Sequence, residues 1–419
     1  MDTEKPHSPR ERVTISTARS ALARADQLTE PAKASRPRPG LRVDQASAPG
    51  SRTRGMEIFP GLDILRGIAA TTIVVYHSIH FFEWTSFPTT NPLALWFRVG
   101  WIGVDLFFVI SGLVIASSAL SLWERKPELY TREYLNRRLS RIVPLHYLTC
   151  LLYLLFIIPG MVKHPQFWWH AVTHLTFLHG FSPLSMGSID GPNWSLAIEI
   201  QFYLLILFLA PFLMRFRPLY VVAGSIAIGC AWRAVVFALV HGRTTREGIN
   251  LTWFGVSQLP GMLDHFGFGV ALAMVFHGDT SGRVRAFLRK TRWLWPVATA
   301  AAAYAVMSIY WPRSELWHSW KMVVFWRTLL AGTCLMAVIT ACAIHDRWFL
   351  RLAWPLRYLG TISYGIYLWH SLVIMSFKPV FPGEPQRAFL WTMAMTLILA
   401  SLSWHFLEKP MMARFRKAS

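Results

Sequence analysis

From Gly61 onward, apolar segments long enough to cross a bilayer recur between short polar breaks. A spanning helix needs about 20 apolar residues, and in lipid each segment must satisfy its own backbone amides. Ten such segments are read, at 61–82, 99–120, 142–159, 195–214, 218–240, 257–277, 293–311, 321–344, 356–378 and 388–407. The expected fold class is all-α, a polytopic integral membrane protein with about ten transmembrane helices. Composition agrees, because 53% of residues are hydrophobic and 15% charged, against about 25% charged in soluble chains. A short re-entrant or interfacial segment is expected within 160–194. The four cysteines lie inside apolar stretches without C-x-x-C spacing, which excludes a disulfide framework and a zinc ribbon.

A formal charge of +20 on so sparsely charged a chain needs a location. Loops 121–141, 215–217, 278–292, 345–357 and the stretch after Leu407 carry 20 Lys and Arg; the alternate loops carry eight. Cations collect in cytoplasmic loops, so both termini are expected in the cytoplasm and no nucleic-acid partner is needed. Residues 1–57 hold no aromatic residue, six Pro and 11 Lys or Arg, and are expected to form a disordered basic cytosolic tail. No apolar run of signal-peptide length precedes Phe59, and Met56 is an alternative translation start. Residues 58–410 are the expected membrane domain, and 411–419 a short basic cytosolic tail.

Ionisable residues at bilayer depth are expensive and therefore candidates for function. Arg66 and His77, 11 residues apart in the first segment, share a helix face about 16 Å apart along the axis, with Asp63 one turn below Arg66. The structural alternative is a snorkelling arginine and a packing histidine. The second segment, GWIGVDLFFVISGLVIASS, holds Asp105 and Ser111; Asp105 either pairs with an arginine or does chemistry. YLNRRLSRIVPLHYL stacks Arg137, Arg138 and Arg141 over about one helical turn, as orientation anchors or as a polyphosphate cradle. NWSLAIEIQFYLLI places Glu199 one turn into the fourth segment, with Tyr203 at i+4. Glu199 and His77 enter at similar depth, as an oriented general base would require. Asp264 and His265, and Tyr364, Tyr367 and His370 in LGTISYGIYLWHSLV, could line a polar cavity. His164, His170, His174 and His179 lack a fixed third ligand type, so no metal site is expected. No Walker loop, GxGxxG or GxSxG motif occurs.

Taken in order, GLDILRGIAATTIVVYH, GVDLFFVISGLVI, NRRLSRIVP, NWSLAIEIQFYLL and SYGIYLWHSLV resemble the hallmark segments of the membrane-bound acyltransferase-3 family, over about residues 58–410. The resemblance implies an integral-membrane O-acyltransferase of the bacterial cytoplasmic membrane, with acyl-CoA (usually acetyl-CoA) as co-substrate and no tightly bound cofactor. Acceptors implied by the family are saccharides of lipopolysaccharide, exopolysaccharide or peptidoglycan, glycolipids, or a macrolide. The family's basic-x10-His motif matches Arg66 and His77, RxxR matches Arg138 and Arg141, and the aromatic-Ser motif with its Glu matches Trp194, Ser195 and Glu199. Two departures are the long polar N-terminal stretch and an end at Ser419, where some relatives continue into a periplasmic SGNH domain.

Arg138 and Arg141, helped by Arg66, are then expected to hold the CoA phosphates at the cytosolic mouth. His77, oriented by Glu199, is expected to deprotonate the acceptor hydroxyl as it attacks the thioester, with an acyl-His intermediate as the competing route. Asp63, Asp105, Ser111, Trp194, Ser195, Tyr203, Tyr364 and His370 are further site candidates. Aromatic residues of the outer loop, Trp168 and Trp169, are expected to contact a sugar. A proton-coupled transporter or flippase is the alternative class, since such proteins also place charges at mid-depth.

Overall fold

A computed structural model describes residues 59–240, 245–311 and 316–417; the tail expected at 1–57 and the start question at Met56 lie outside them. Within the described residues the chain is helical with no strand. The principal helices are α1 (Pro60–Phe81), α2 (Gly103–Arg125), α3 (Tyr130–Leu152), α4 (Trp194–Leu213) and α5 (Pro218–Leu239). They are followed by α6 (Leu263–Gly278), α7 (Leu294–Tyr310), α8 (Arg327–Ala343), α9 (Ser363–Phe377) and α10 (Pro385–Ser403). Pro60, Pro218 and Pro385 each open a helix, where the missing amide proton costs nothing and the fixed φ suits the first turn.

Eight helices among the described residues are long and apolar enough to cross a membrane, and nine if one bent pair counts as a single span. Two of the ten expected segments fall outside that set. The seventh segment is only 17 residues long as α7 and bends by 76° from the basic helix Arg283–Lys290, whose charged turns cannot follow it into hydrocarbon. The ninth is broken at Ile362 into Trp354–Thr361 and α9. A methyl on Gly360 would overlap the Asp63 carbonyl oxygen, so the short helix is pressed backbone to backbone on α1. Beyond the break α9 turns to pack on α10, where the Trp369 indole donates to Ser403 Oγ at 3.1 Å. Most of the basic tail expected at 411–419 lies in the helix Lys409–Lys417, which packs against α3.

At the centre α2 and α6 cross closely, because Gly112 faces the Phe266 carbonyl and Gly269 the Val109 carbonyl with no room for a side chain, the small-residue packing favoured in lipid. The same helices carry a buried charge network. Asp264 accepts from Arg233 at 2.7 Å and from Thr328 at 2.6 Å. His265 bridges Asp264 (2.7 Å) and Asp105 (2.9 Å), and Arg327 approaches Asp105 at 3.4 Å. All five ionisable groups are at most 5% exposed. Asp105, Asp264 and His265 thus belong to a structural clasp joining α2, α5, α6 and α8, and Asp105 takes its arginine-paired alternative. All four cysteines are free.

Candidate active site

Three cavities open within the bundle, and α9 borders two of them. The inner cavity is bordered by Arg66 of α1, Ser111 of α2, Arg138 and Arg141 of α3, Ser195, Glu199 and Tyr203 of α4, and Ser363, Tyr364 and Tyr367 of α9. It opens past Val114, Arg138 and Arg141 into a mouth of about 590 Å³, bordered also by Lys126, Glu133, Arg137, Met412 and Phe415. The outer cavity, about 390 Å³, lies at the opposite helix ends and is bordered by His77, Phe81, Tyr153, Ser188, Trp194, Trp253 and Ser371.

Charge is distributed unevenly between them. In the mouth, Glu133 accepts from Lys126 and Arg137, both at 2.6 Å, so those two cations share one carboxylate. Arg66, Arg138 and Arg141 have no carboxylate within ion-pair distance among the described residues. Arg138 is held instead between the rings of Tyr134 (5.7 Å) and Tyr203 (5.8 Å), a stacking that suits the flat guanidinium and leaves its edge free for an anion. Glu199 accepts from Ser111 at 2.9 Å and from Tyr203 at 3.0 Å. Three guanidiniums and one carboxylate leave the inner cavity net positive. Its other wall is the N-terminal turn of α9, the positive end of a helix dipole.

The expected pairing of His77 with Glu199 is corrected. His77 Nδ1 lies 2.8 Å from His370 Nε2, and His370 Nδ1 lies 2.6 Å from the Tyr367 carbonyl oxygen. A carbonyl only accepts, so His370 carries its proton on Nδ1, presents the Nε2 lone pair and accepts from His77 Nδ1–H. His77 Nε2 is thereby left with its lone pair, the nitrogen a general base needs. The residue that orients His77 sits on α9, whereas Glu199 faces the inner cavity.

Between the cavities stands a polar partition. Ser195 Oγ and Tyr367 OH are 2.7 Å apart, and both reach the Pro192 carbonyl, at 3.2 and 2.8 Å. Ser195 borders the inner cavity and its neighbour Trp194 the outer one. Of the other sequence candidates, Asp63 borders neither cavity and lies in the field of Arg66, Arg357 and Arg141. Trp168 and Trp169 are 74% and 53% exposed and border neither.

The histidines of the outer loop stack rather than converge. The rings of His174 and His179 lie 4.3 Å apart and nearly parallel, and His170 Nδ1 bonds Ser188 Oγ at 2.9 Å. No group of three His, Cys, Asp or Glu side chains among the described residues is placed to hold a metal ion.

The model of the acyltransferase domain matches residues 59–405. The chain belongs to the acyltransferase-3 family. It is 29% identical over 389 residues to a putative peptidoglycan O-acetyltransferase, YrhL, of Bacillus subtilis, covering 86% of this chain and 56% of the relative. It is 27% identical over 385 residues to the peptidoglycan O-acetyltransferase OatA of Listeria monocytogenes (84% and 55%). It is 26% identical over 392 residues to the O-acetyltransferase OatA of Staphylococcus aureus (86% and 58%). The chain spans a little over half the length of these curated relatives. No solved structure matches it.

The acyltransferase-3 motif positions fall on both sides of the partition. Arg66, Arg138, Arg141, Ser195 and Glu199 border the inner cavity, His77 and Trp194 the outer one. From sequence, Tyr364, Tyr367 and His370 of α9 were expected only to line a polar cavity, although Ser363, Tyr367, His370 and Ser371 repeat at helical spacing in an apolar segment, a polar stripe that marks a cavity-facing side. Trp253 carried no such signal, because the short helix Arg246–Val256 that supplies it meets Trp194 only in the fold.

Proposed function

We propose that this protein is a multi-pass O-acyltransferase of the bacterial cytoplasmic membrane that moves an acyl group, acetyl in the simplest case, from acyl-CoA to a saccharide hydroxyl. The observation that carries the reading is the set of three guanidiniums without an ion-pair contact at one cavity, continuous with an open mouth and followed along the bundle by a histidine with a free Nε2. Arg66, Arg138 and Arg141 hold the CoA phosphates with charge-assisted hydrogen bonds. The pantetheine arm runs along α1 over the roughly 16 Å from Arg66 to His77. Its acyl end passes the Ser195–Tyr367 partition.

His77 Nε2 takes the proton of the acceptor hydroxyl as that oxygen bonds to the thioester carbonyl carbon. The C–S bond breaks, and the proton goes to the leaving sulfur, giving an O-acyl ester and free CoA. General-base help of this kind contributes roughly 10²- to 10⁴-fold. The names of the relatives favour a peptidoglycan saccharide as acceptor over the lipopolysaccharide or macrolide expected from sequence. The loop cations favour a cytoplasmic mouth and cytoplasmic termini.

Radiolabelled acetyl-CoA supplied to the purified protein in proteoliposomes should give saccharide-dependent release of CoA. His77→Ala should abolish it, and normal transfer by that variant would remove the base. Arg138→Ala should weaken CoA binding at least tenfold; unchanged CoA affinity would remove the phosphate assignment. A membrane-impermeant thiol reagent should label a cysteine introduced at Arg289 only from the cytoplasmic side.

A further inference from the structure

We infer that the outer cavity is the acceptor site and that it takes a neutral pyranose ring, stacked on Trp253 beside Trp194, with a ring hydroxyl presented to His77 Nε2. The inference rests on the transferase reading and deepens it. Among the described residues no Lys, Arg, Asp or Glu borders this cavity, in contrast with the three arginines of the inner one. An anion gains nothing here, and a cation finds no counter-charge. What does border it is aromatic surface, the aliphatic side chains Ile157, Ile158, Ile189 and Met375, and hydroxyls. Trp194 and Trp253 pack edge to face, with ring centroids 5.5 Å apart and planes at 70°, so a flat indole face is fixed at an angle to its neighbour. Apolar ring faces with hydroxyls around the edge are what a sugar offers in return.

The two serines at the wall are pre-oriented. Ser188 Oγ is held by His170 Nδ1 at 2.9 Å, and Ser371 Oγ by Tyr153 OH. Each hydroxyl keeps acceptor capacity for a further hydrogen bond. About 390 Å³ lies within the few-hundred to thousand Å³ of small-ligand pockets. The cavity also sits at the helix ends opposite the cationic mouth, the C-terminal ends of α1 and α9 and the start of α4. Donor and acceptor thus approach His77 from opposite ends. The exposed Trp168 and Trp169 take no part.

The test separates sugar binding from turnover. The full-length protein in detergent is titrated with N-acetylglucosamine tetramer, maltotetraose and cellotetraose by calorimetry, and acetyl-CoA binding is measured in parallel. Wild type should bind at least one of the three. Trp253→Ala should weaken that binding at least tenfold, as loss of a central tryptophan anchor does, with acetyl-CoA affinity unchanged within twofold; Trp253→Phe should retain most of it. Ser371→Ala should weaken it less.

Equal sugar affinity in wild type, Trp253→Ala and Ser371→Ala overturns the assignment, as does failure of wild type to bind any of the three. Binding only of alkyl glycosides, with strength rising with chain length, also overturns it in favour of a lipid tail. Sugar binding lost in Trp253→Ala while wild type transfers no acetyl group leaves the cavity assignment intact and removes the transferase reading.

Discussion

His370 is the residue through which the candidate chemistry is set. It fixes the proton of His77 by a chain of two hydrogen bonds ending on a backbone carbonyl, so the basic nitrogen is chosen by geometry rather than by a nearby carboxylate. Replacing it with Ala frees the His77 ring to rotate and to populate the other tautomer. His370→Ala should lower kcat by about two orders of magnitude or more with the acetyl-CoA KM unchanged, the pattern of a misoriented base. His370→Gln, which can still accept from Nδ1–H, should recover part of the loss and shift the pH–rate profile. A purely structural role would move neither ratio nor profile.

At the scale of elements, two segments invite measurement. The short helix Trp354–Thr361 owes its position to Gly360 against the α1 backbone. Gly360→Ala should destabilise the purified protein by about 1–3 kcal/mol, the usual cost of overpacking, seen as an earlier unfolding transition on heating. In the outer loop, burial holds the His174 imidazole down at about 3 and lowers His179 as well. His174 Nε2 has no hydrogen-bond partner among the described residues, so a proton added there would be orphaned. The unfolded loop protonates both imidazoles near pH 6.5 and the folded loop does not. The folded loop therefore loses stability as pH falls from about 6.5 toward 3. Burial pushes the Asp190 carboxyl well up, which acts with the opposite sign by disfavouring the folded loop as pH rises above about 4. Two imidazoles outweigh the one carboxyl over this range, so hydrogen exchange across residues 164–190 should speed up between pH 7 and pH 5 after correction for the intrinsic rate. His174→Gln should flatten that change.

For the whole molecule, the clasp of Asp105, Asp264, His265, Arg233 and Arg327 ties together four helices, α2, α5, α6 and α8. Ion pairs out of water are costly to assemble, yet costlier to break on one side, because the remaining charge is left buried without a partner. Asp105→Ala should cost roughly 3–5 kcal/mol and Asp105→Asn less, both read from thermal unfolding. The fraction that folds should bind acetyl-CoA with wild-type affinity, because the clasp borders neither the inner nor the outer cavity. Loss of CoA affinity in folded Asp105→Asn would place the clasp in the site after all.

Segment length, apolarity and the alternation of cations were properties of the sequence alone, since a bilayer demands them locally and each segment must satisfy its own backbone. The all-α membrane class and the positions of most helices were legible for that reason, whereas Arg66, Arg138, Arg141, Ser195, Glu199 and Tyr203 were legible only as separate candidates that the fold brings to one cavity. The break at Ile362 was not, because it follows from the contact between Gly360 and Asp63, residues almost 300 apart. Nor was the partner of His77: depth along a helix placed Glu199 and His370 equally well, and only the rotation of each helix about its own axis decided between them. The same rotation sent Asp105 into a structural clasp, and brought Trp253 and Trp194 to one wall. Tertiary packing fixes those rotations through side-chain contacts between distant segments, a quantity that periodicity within one segment does not contain.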